Sequence, residues 1–244
     1  MKAVRGKHVL VTRSEEDSTA WAARLEAAGA RAVVLPCIRS VPIESDALRT
    51  LIGDLLPDTD WIVFTSKRGV AAFSELRAAG IPANVRIAVV GPATADAAVV
   101  AFGRADLVSE AGTAASLAQA LEVRLDTEGD HVLLAVAENA ASTIEDALGA
   151  AGARCTRLNI YRTIPAGTVE QKFTLTALGA DTIFLASPSA VEGLTNQVEL
   201  DKPAAIFTIG PATNAAAIAA GLEVTGQAKR PGIEGLMEAM QCAI

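Results

Sequence analysis

The chain has 244 residues, of which 51% are hydrophobic and 20% charged, so it can bury one large or two small cores and is not expected to be disordered. Its formal charge of -7 argues against a nucleic-acid-binding surface, which needs a basic stripe. Three widely spaced cysteines indicate neither a disulfide framework nor a CxxC metal pair. Because the sequence shows no signal-peptide core and no apolar run of about 18 residues, we expect a cytoplasmic protein without membrane contact.

The predicted elements alternate between strands and helices. "HVLVT" from His8 is apolar without strict alternation, as in a strand buried on both faces, and a helix ending at Gly29 follows it. "RAVVLP" is the next strand, and "DWIVFT" from Asp60 and "RIAVVG" from Arg86 each lead into a further helix. The same order returns from "HVLLA" at His131. This alternation predicts an α/β fold of two small doubly wound domains with parallel sheets.

The second half of the sequence repeats the first. His8 to Ile43 aligns with His131 to Ala166 at an offset of 123 residues, with 13 of 36 positions identical. Three further blocks follow in the same order at offsets of 121, 119 and 119, including two Gly-Pro-Ala-Thr turns. Four ordered matches indicate two copies of one unit.

The Gly-Pro-Ala-Thr turns are candidate anion sites. Gly91 and Gly210 each end a predicted strand, and the proline after them suits a first helical turn. Ligands of doubly wound sheets bind beyond such strand ends, where unpaired helix amides attract anions. Thr94 and Thr213 could add hydroxyl groups. A plain helix cap explains the same pattern, so both interpretations stay open.

Ser66 and Ser187 follow two other predicted strands, where they could contact a ligand or simply cap a helix. Arg13, Lys67 and Arg68 lie at strand ends of the first copy only, and their shared location favours an anionic ligand.

Tyr161 is the only tyrosine, and the first copy has Ile38 in its place. Its phenol could donate a proton, or the ring could serve packing alone. His8 and His131 lie at strand starts, the wrong end of the sheet for a site, and are expected to be structural. Since HExxH, CxxC, Walker A and GxGxxG motifs are absent from the sequence, a metal or nucleotide cofactor is disfavoured.

At these residues the chain resembles the uroporphyrinogen-III synthase family. Each matching motif is short, but their order and spacing are specific, and the resemblance covers essentially the whole chain. The segments are "VLVTR" at 9–13, "DWIVFTSKRGV" at 60–70, "VVGPATADA" at 89–97, "IYRT" at 160–163, "FLASPSAV" at 184–191 and "IGPATNAA" at 209–216.

The resemblance implies two flavodoxin-like α/β domains joined by a two-stranded β-ladder, with the substrate in a central cleft. Residues 1–36 and 168–244 would form the first domain, residues 46–156 the second, and residues 37–45 and 157–167 the linker. The duplicated unit would then be crossed over between the domains.

The resemblance also implies the reaction. The family removes the hydroxyl of hydroxymethylbilane as water and closes the ring with inversion of ring D, giving uroporphyrinogen III for haem biosynthesis. The chain would be a hydro-lyase without a cofactor or metal, acting on a small-molecule tetrapyrrole. We expect a monomer that binds neither nucleic acid nor membrane, and a transient contact with the preceding pathway enzyme stays open.

Site residues follow from the same resemblance. Tyr161 would assist departure of the hydroxyl. The substrate would be held from one side by Thr12, Arg13, Thr65, Ser66, Lys67, Gly91 and Thr94, and from the other by Ser187, Ser189, Gly210, Ala212 and Thr213, partly through backbone N–H groups.

One segment departs from the family pattern. After "HVLLA", relatives tend to carry Arg-Gly and a further arginine, whereas this chain has "VAENAASTIEDAL" with Glu138. This leaves open a divergent homologue with impaired activity. The main rival is a two-domain binding protein that closes on a small anionic ligand without chemistry. A sugar- or nucleotide-transfer enzyme is disfavoured, since the sequence has neither a nucleotide loop nor paired catalytic carboxylates.

Overall fold

The computed structural model describes residues 4–109, 111–125 and 129–243. The chain forms two compact units, the first made of Met1–Arg39 with Thr163–Ile244 and the second of Ser40–Arg162. Both contain parallel strands covered by helices, so the predicted α/β fold is confirmed. Among the described residues, no helix has the length and apolar character needed to cross a membrane.

The elements alternate as the sequence predicts. Those before residue 110 are β1 (His8–Val11), α1 (Glu15–Ala27), β2 (Arg31–Val34), β3 (Ile38–Pro42), α2 (Asp46–Leu55), a 3-10 turn (Leu56–Asp58), β4 (Trp61–Phe64), α3 (Lys67–Leu76), β5 (Arg86–Val90), α4 (Pro92–Phe102) and β6 (Leu107–Ser109). Those after it are α5 (Ala114–Glu122), β7 (His131–Ala137), α6 (Thr143–Ala150), β8 (Arg154–Pro165), β9 (Phe173–Thr174), α7 (Leu175–Leu178), β10 (Thr182–Leu185), α8 (Pro188–Gln197), β11 (Val198–Glu199), β12 (Ala205–Thr208), α9 (Pro211–Ala219), β13 (Val224–Gln227) and α10 (Gly232–Cys242).

The first unit is built on a parallel sheet in the order β13-β12-β10-β1-β2. Alternate residues of its central strands enter different hydrophobic clusters: Phe184 and Phe207 pack on one face, and Ile183 and Ile206 on the other. The sheet is therefore buried on both faces, which explains why its strands are apolar without alternating. The strands β9 and β11 of the same unit form a separate, two-stranded parallel sheet.

The second unit is built on a six-stranded sheet in the order β3-β8-β7-β4-β5-β6. Five of these strands are parallel. The edge strand β3 is antiparallel to β8, because Ile43 N–H donates to Ile160 O while Ala166 N–H donates to Cys37 O. Phe64, Phe73 and Phe102 pack together in the core, with ring centroids 5.5–6.1 Å apart.

Each sheet mixes strands from both copies of the repeat. The first unit combines β1 and β2 of the first copy with β10, β12 and β13 of the second, and the second unit has the reverse combination. Two equivalent aspartates make hydrogen bonds between the copies. Asp181 accepts from the backbone N–H of His8, and Asp60 accepts from that of His131. The strand ends of one copy are thereby divided between the two units.

Candidate functional site

The candidate site of the second unit starts at the turn between β4 and α3. Ser66 has an extended backbone, and its Oγ accepts a hydrogen bond of 3.1 Å from Gly69 N, so it caps α3. A Cβ on Gly69 would lie 3.0 Å from Ala135 O of β7, which is tighter than most Cβ contacts, so a larger residue would push this first turn away from the neighbouring strand. The helix start therefore fixes Ser66 at the carboxyl end of β4.

Tyr161 reaches Ser66 from the outer part of the same sheet. Its phenol oxygen lies 2.9 Å from Ser66 Oγ, although the two residues are 95 positions apart in sequence. A β-bulge in β8 makes this possible: Val136 pairs with Asn159, but Ala137 pairs with Tyr161. Such a bulge changes the face to which the next side chain points. Tyr161 is 8% exposed and belongs to the hydrophobic core of this unit.

This hydroxyl pair has a defined chemical capacity. One lone pair of Ser66 Oγ receives the Gly69 N–H, which leaves one lone pair and one proton for the phenol. When Ser66 donates to the phenol oxygen, the Tyr161 proton is free to move to a ligand atom. The serine O–H then stabilises the negative charge that develops on the tyrosine oxygen.

Lys67 and Thr65 flank Ser66. Thr65 is partly exposed and Lys67 is exposed. The side chain of Lys67 lines an open groove of about 620 Å³ between α3 and α4. Both residues are therefore accessible to solvent, and their role in binding a ligand stays a prediction.

The two Gly-Pro-Ala-Thr turns form helix starts, as expected. Among the described residues, no side chain caps α4 at Gly91 or α9 at Gly210. Gly91 has a φ of 74°, which requires glycine, whereas Gly210 is extended. Thr94 and Thr213 are only 5% and 2% exposed, so their hydroxyls point into the protein. The parts of these turns open to a ligand are therefore backbone N–H groups, including that of the exposed Ala212.

Thr12 and Arg13 directly follow β1 in the first unit. Because β1 pairs with β10, both residues lie in the same unit as Ser187, and the side from which they would contact the substrate stays a prediction. Thr12 is fully buried and donates a hydrogen bond of 2.7 Å to Phe184 O. The Arg13 guanidinium pairs with Asp17 at 3.0 Å and lies 4.8 Å from the ring centroid of Trp21. Thr12 thus joins β1 to β10, and Arg13 is drawn towards α1.

Ser187 is the counterpart of Ser66 in the first unit. Its Oγ accepts a hydrogen bond of 3.1 Å from Ala190 N, and both Ser187 and Ser189 are partly exposed. Since Tyr161 is the only tyrosine, no phenol can stand beside Ser187. The two copies therefore differ chemically, and the serine–tyrosine pair is specific to the second unit.

Arg157 is a polar residue of this region that no sequence motif marks. It lies on β8 four positions before Tyr161, and its Nη2 donates to Ala137 O at 2.8 Å and to Ala140 O at 2.9 Å. The feature that could have drawn attention to Arg157 is the presence of an arginine within a strand that is otherwise half-buried. The segment after β7 contains no arginine, but Arg157 of β8 holds it through these two hydrogen bonds.

His131 lies at the opposite end of the sheet. Its ring is 3.2 Å from Asp58 O and 2.8 Å from Thr156 Oγ1, and it is 1% exposed. Burial, with the charge of Arg154, lowers its pKa and so favours the neutral form of the ring. In the part of the chain that the structure describes, no three His, Cys, Asp or Glu side chains come together as a metal-binding group.

Comparisons with known proteins extend these observations. A family described as uroporphyrinogen-III synthase HemD matches residues 19–238. A rice protein named uroporphyrinogen-III synthase, chloroplastic, is 32% identical over 242 residues, covering 95% of this chain and 79% of the rice protein.

Two solved structures share the fold. The Helicobacter pylori uroporphyrinogen-III synthetase superposes with a TM-score of 0.53 at 16% identity, covering 98% of this chain and 100% of that one. A mutant uroporphyrinogen III synthase from Thermus thermophilus has a TM-score of 0.52 at 19% identity and covers 98% of both chains. With a family match over most of its length, this chain belongs to the uroporphyrinogen-III synthase family.

Proposed function

We propose that this protein is a uroporphyrinogen-III synthase, a lyase that dehydrates and cyclises hydroxymethylbilane with inversion of ring D in tetrapyrrole biosynthesis. The family match over residues 19–238 and the rice relative support this assignment.

The observation that carries the proposal is the hydrogen bond between Ser66 and Tyr161 at the carboxyl end of β4. Departure of the substrate hydroxyl needs a proton, and a positioned general acid typically accelerates such a step about 10²–10⁴-fold. Tyr161 supplies the proton while Ser66 holds the phenol oxygen. The remaining requirement is to bring the two ends of the linear substrate together, which is a matter of positioning.

Substrate carboxylates are held mainly by helix starts in this proposal. The open amides at α4 and α9 and the exposed Lys67 offer local positive potential. This explains how a chain of formal charge -7 could bind a polyanion.

The finer architecture is part of the same proposal. The strand order β2-β1-β10-β12-β13 corresponds to the doubly wound order of flavodoxin-like domains, which supports that description. The linker at residues 37–45 and 157–167, the domain limits at 1–36 with 168–244 and at 46–156, and the substrate cleft stay predictions. So do the cytoplasmic location, the monomeric state and a transient contact with the preceding pathway enzyme.

The decisive assay supplies enzymatically generated hydroxymethylbilane, oxidises the product and separates the I and III isomers. A synthase yields isomer III. Isomer I alone, which forms spontaneously, would instead support the non-catalytic binding protein or an impaired homologue.

The role of Tyr161 is tested by Tyr161→Phe, which keeps the ring in its core position and removes only the hydroxyl. We expect kcat to fall about 10²-fold or more with little change in KM, because the lost interaction acts on the reacting bond. Thermal melting serves as the control for folding. A folded Y161F protein with the parent kcat would remove this role.

A further inference from the structure

Arg157 holds the turn that follows β7. Its side chain is 25% exposed, and Nε, Nη1 and Nη2 all have acceptors. Nη2 donates to Ala137 O and Ala140 O, Nε donates to Asn159 Oδ1 at 2.8 Å, and Nη1 pairs with Glu145 of α6. The guanidinium thus joins β8 to the turn and to the helix beyond it.

The turn after β7 also supports the bulge in β8 that carries Tyr161. In a regular strand, Tyr161 would share the face of Arg157 and Asn159. The bulge places both Ile160 and Tyr161 in the core instead. Immediately after the bulge, Glu138 N–H donates a hydrogen bond of 2.9 Å to Tyr161 O. The backbone of Tyr161 is therefore tied to the turn that Arg157 holds.

We propose that Arg157 is a positioning residue, which keeps the Tyr161 phenol within hydrogen-bond reach of Ser66 by pinning the turn after β7. This inference rests on the proposed function for its effect on catalysis. Arg157 itself is occupied by carbonyl, amide and carboxylate oxygens, so it acts through Tyr161 rather than on the substrate.

The planar fork of arginine is essential to this arrangement. A lysine keeps the charge but offers one ammonium group, which cannot span two carbonyls, an amide and a carboxylate at once. Arg157→Lys should therefore release part of the turn without adding a buried unpaired charge. Arg154→Lys, an equal change at an exposed position of the same strand, is the matched control.

The first measurement needs no substrate. Because Tyr161 is the only tyrosine, labelling the protein with ring-¹³C tyrosine gives the NMR signals of that one ring. R157K should shift these signals from the parent values, whereas R154K should leave them in place. A folded R157K protein with parent signals overturns the proposal whatever reaction the protein catalyses.

The second measurement is kinetic. R157K should lower kcat about 10-fold or more and change KM less, because small misplacements of a reacting group are costly. In a Tyr161→Phe background the same substitution should have little further effect on kcat, since the group it positions is already removed. A general structural role would instead lower kcat equally in both backgrounds, and that result refutes positioning.

Failure of the proposed function is a distinct outcome: the parent protein would form no isomer III while the NMR shift persisted. Should R157K not fold, Glu145→Gln removes one charged partner of Arg157 and is judged by the same NMR signals. A shift in E145Q supports the proposal, and parent signals overturn it.

Discussion

Gly193 and Gly53 both lie inside helices, but the structure predicts opposite effects of an alanine substitution at the two positions. Each lies inside a helix of 10 residues, α8 and α2 respectively. Helix propensity alone predicts that alanine stabilises either site by about 0.5–1 kcal/mol. Apart from its chain neighbours and the backbone of its own helix, no described atom lies within 4 Å of a Cβ built on Gly53, so Gly53→Ala should have this effect.

At Gly193 the surrounding atoms make the alanine substitution destabilising instead. A Cβ would lie 1.7 Å from Cys37 O and 3.1 Å from Ala166 N, whereas real Cβ contacts are essentially never under 3.0 Å. Cys37 O also accepts a hydrogen bond of 2.8 Å from Ala166 N, so moving the carbonyl disturbs that bond. Overpacking costs about 1–3 kcal/mol and the disturbed bond about 0.5–1.5 kcal/mol, which outweighs the propensity gain.

We therefore expect Gly193→Ala to lower the free energy of unfolding by about 2–3 kcal/mol and the melting temperature by roughly 5–10 °C. Urea unfolding and thermal melting of G193A, G53A and the parent provide the measurement. If G193A proved as stable as the parent, α8 would not approach residue 37 as closely as described, and the reasoning would fail.

Two further predictions concern titratable groups. Since the pKa of His131 is lowered in the folded protein, the unfolded chain takes up the proton first, and the free energy of unfolding should fall as pH drops below about 6.5. His131→Gln should reduce that slope in urea titrations at several pH values, and an unchanged slope would contradict this assignment. Burial raises the pKa of the Cys37 thiol to about 12, and burial with the charge of Glu145 does the same for Cys155. A thiol reagent at pH 8 should therefore modify the exposed Cys242 in the native protein well before the buried Cys37 and the partly buried Cys155, and equal rates would contradict this prediction.

Local patterns in the sequence predict much of this protein. Strand and helix periodicity, the duplicated blocks and the serines that cap α3 and α8 all depend on residues close together along the chain. Ser66 and Ser187 bond the backbone three residues ahead, so they could be assigned without any knowledge of tertiary contacts. The whole-chain resemblance supplied the family.

Tertiary packing decided what the candidate site is made of. β1 pairs with β10 of the other copy as well as with β2 of its own, so Thr12 and Arg13 belong to the unit of Ser187 and not to that of Ser66. A one-residue bulge turns Tyr161 into the core, where its phenol meets Ser66, and Arg157 holds the adjoining turn. These features depend on contacts between distant segments, and their free energy comes from burial and hydrogen bonds that exist only once the sheets have formed. The order of elements and the local helix caps could therefore be predicted from the chain alone, whereas side-chain partners from distant segments could not.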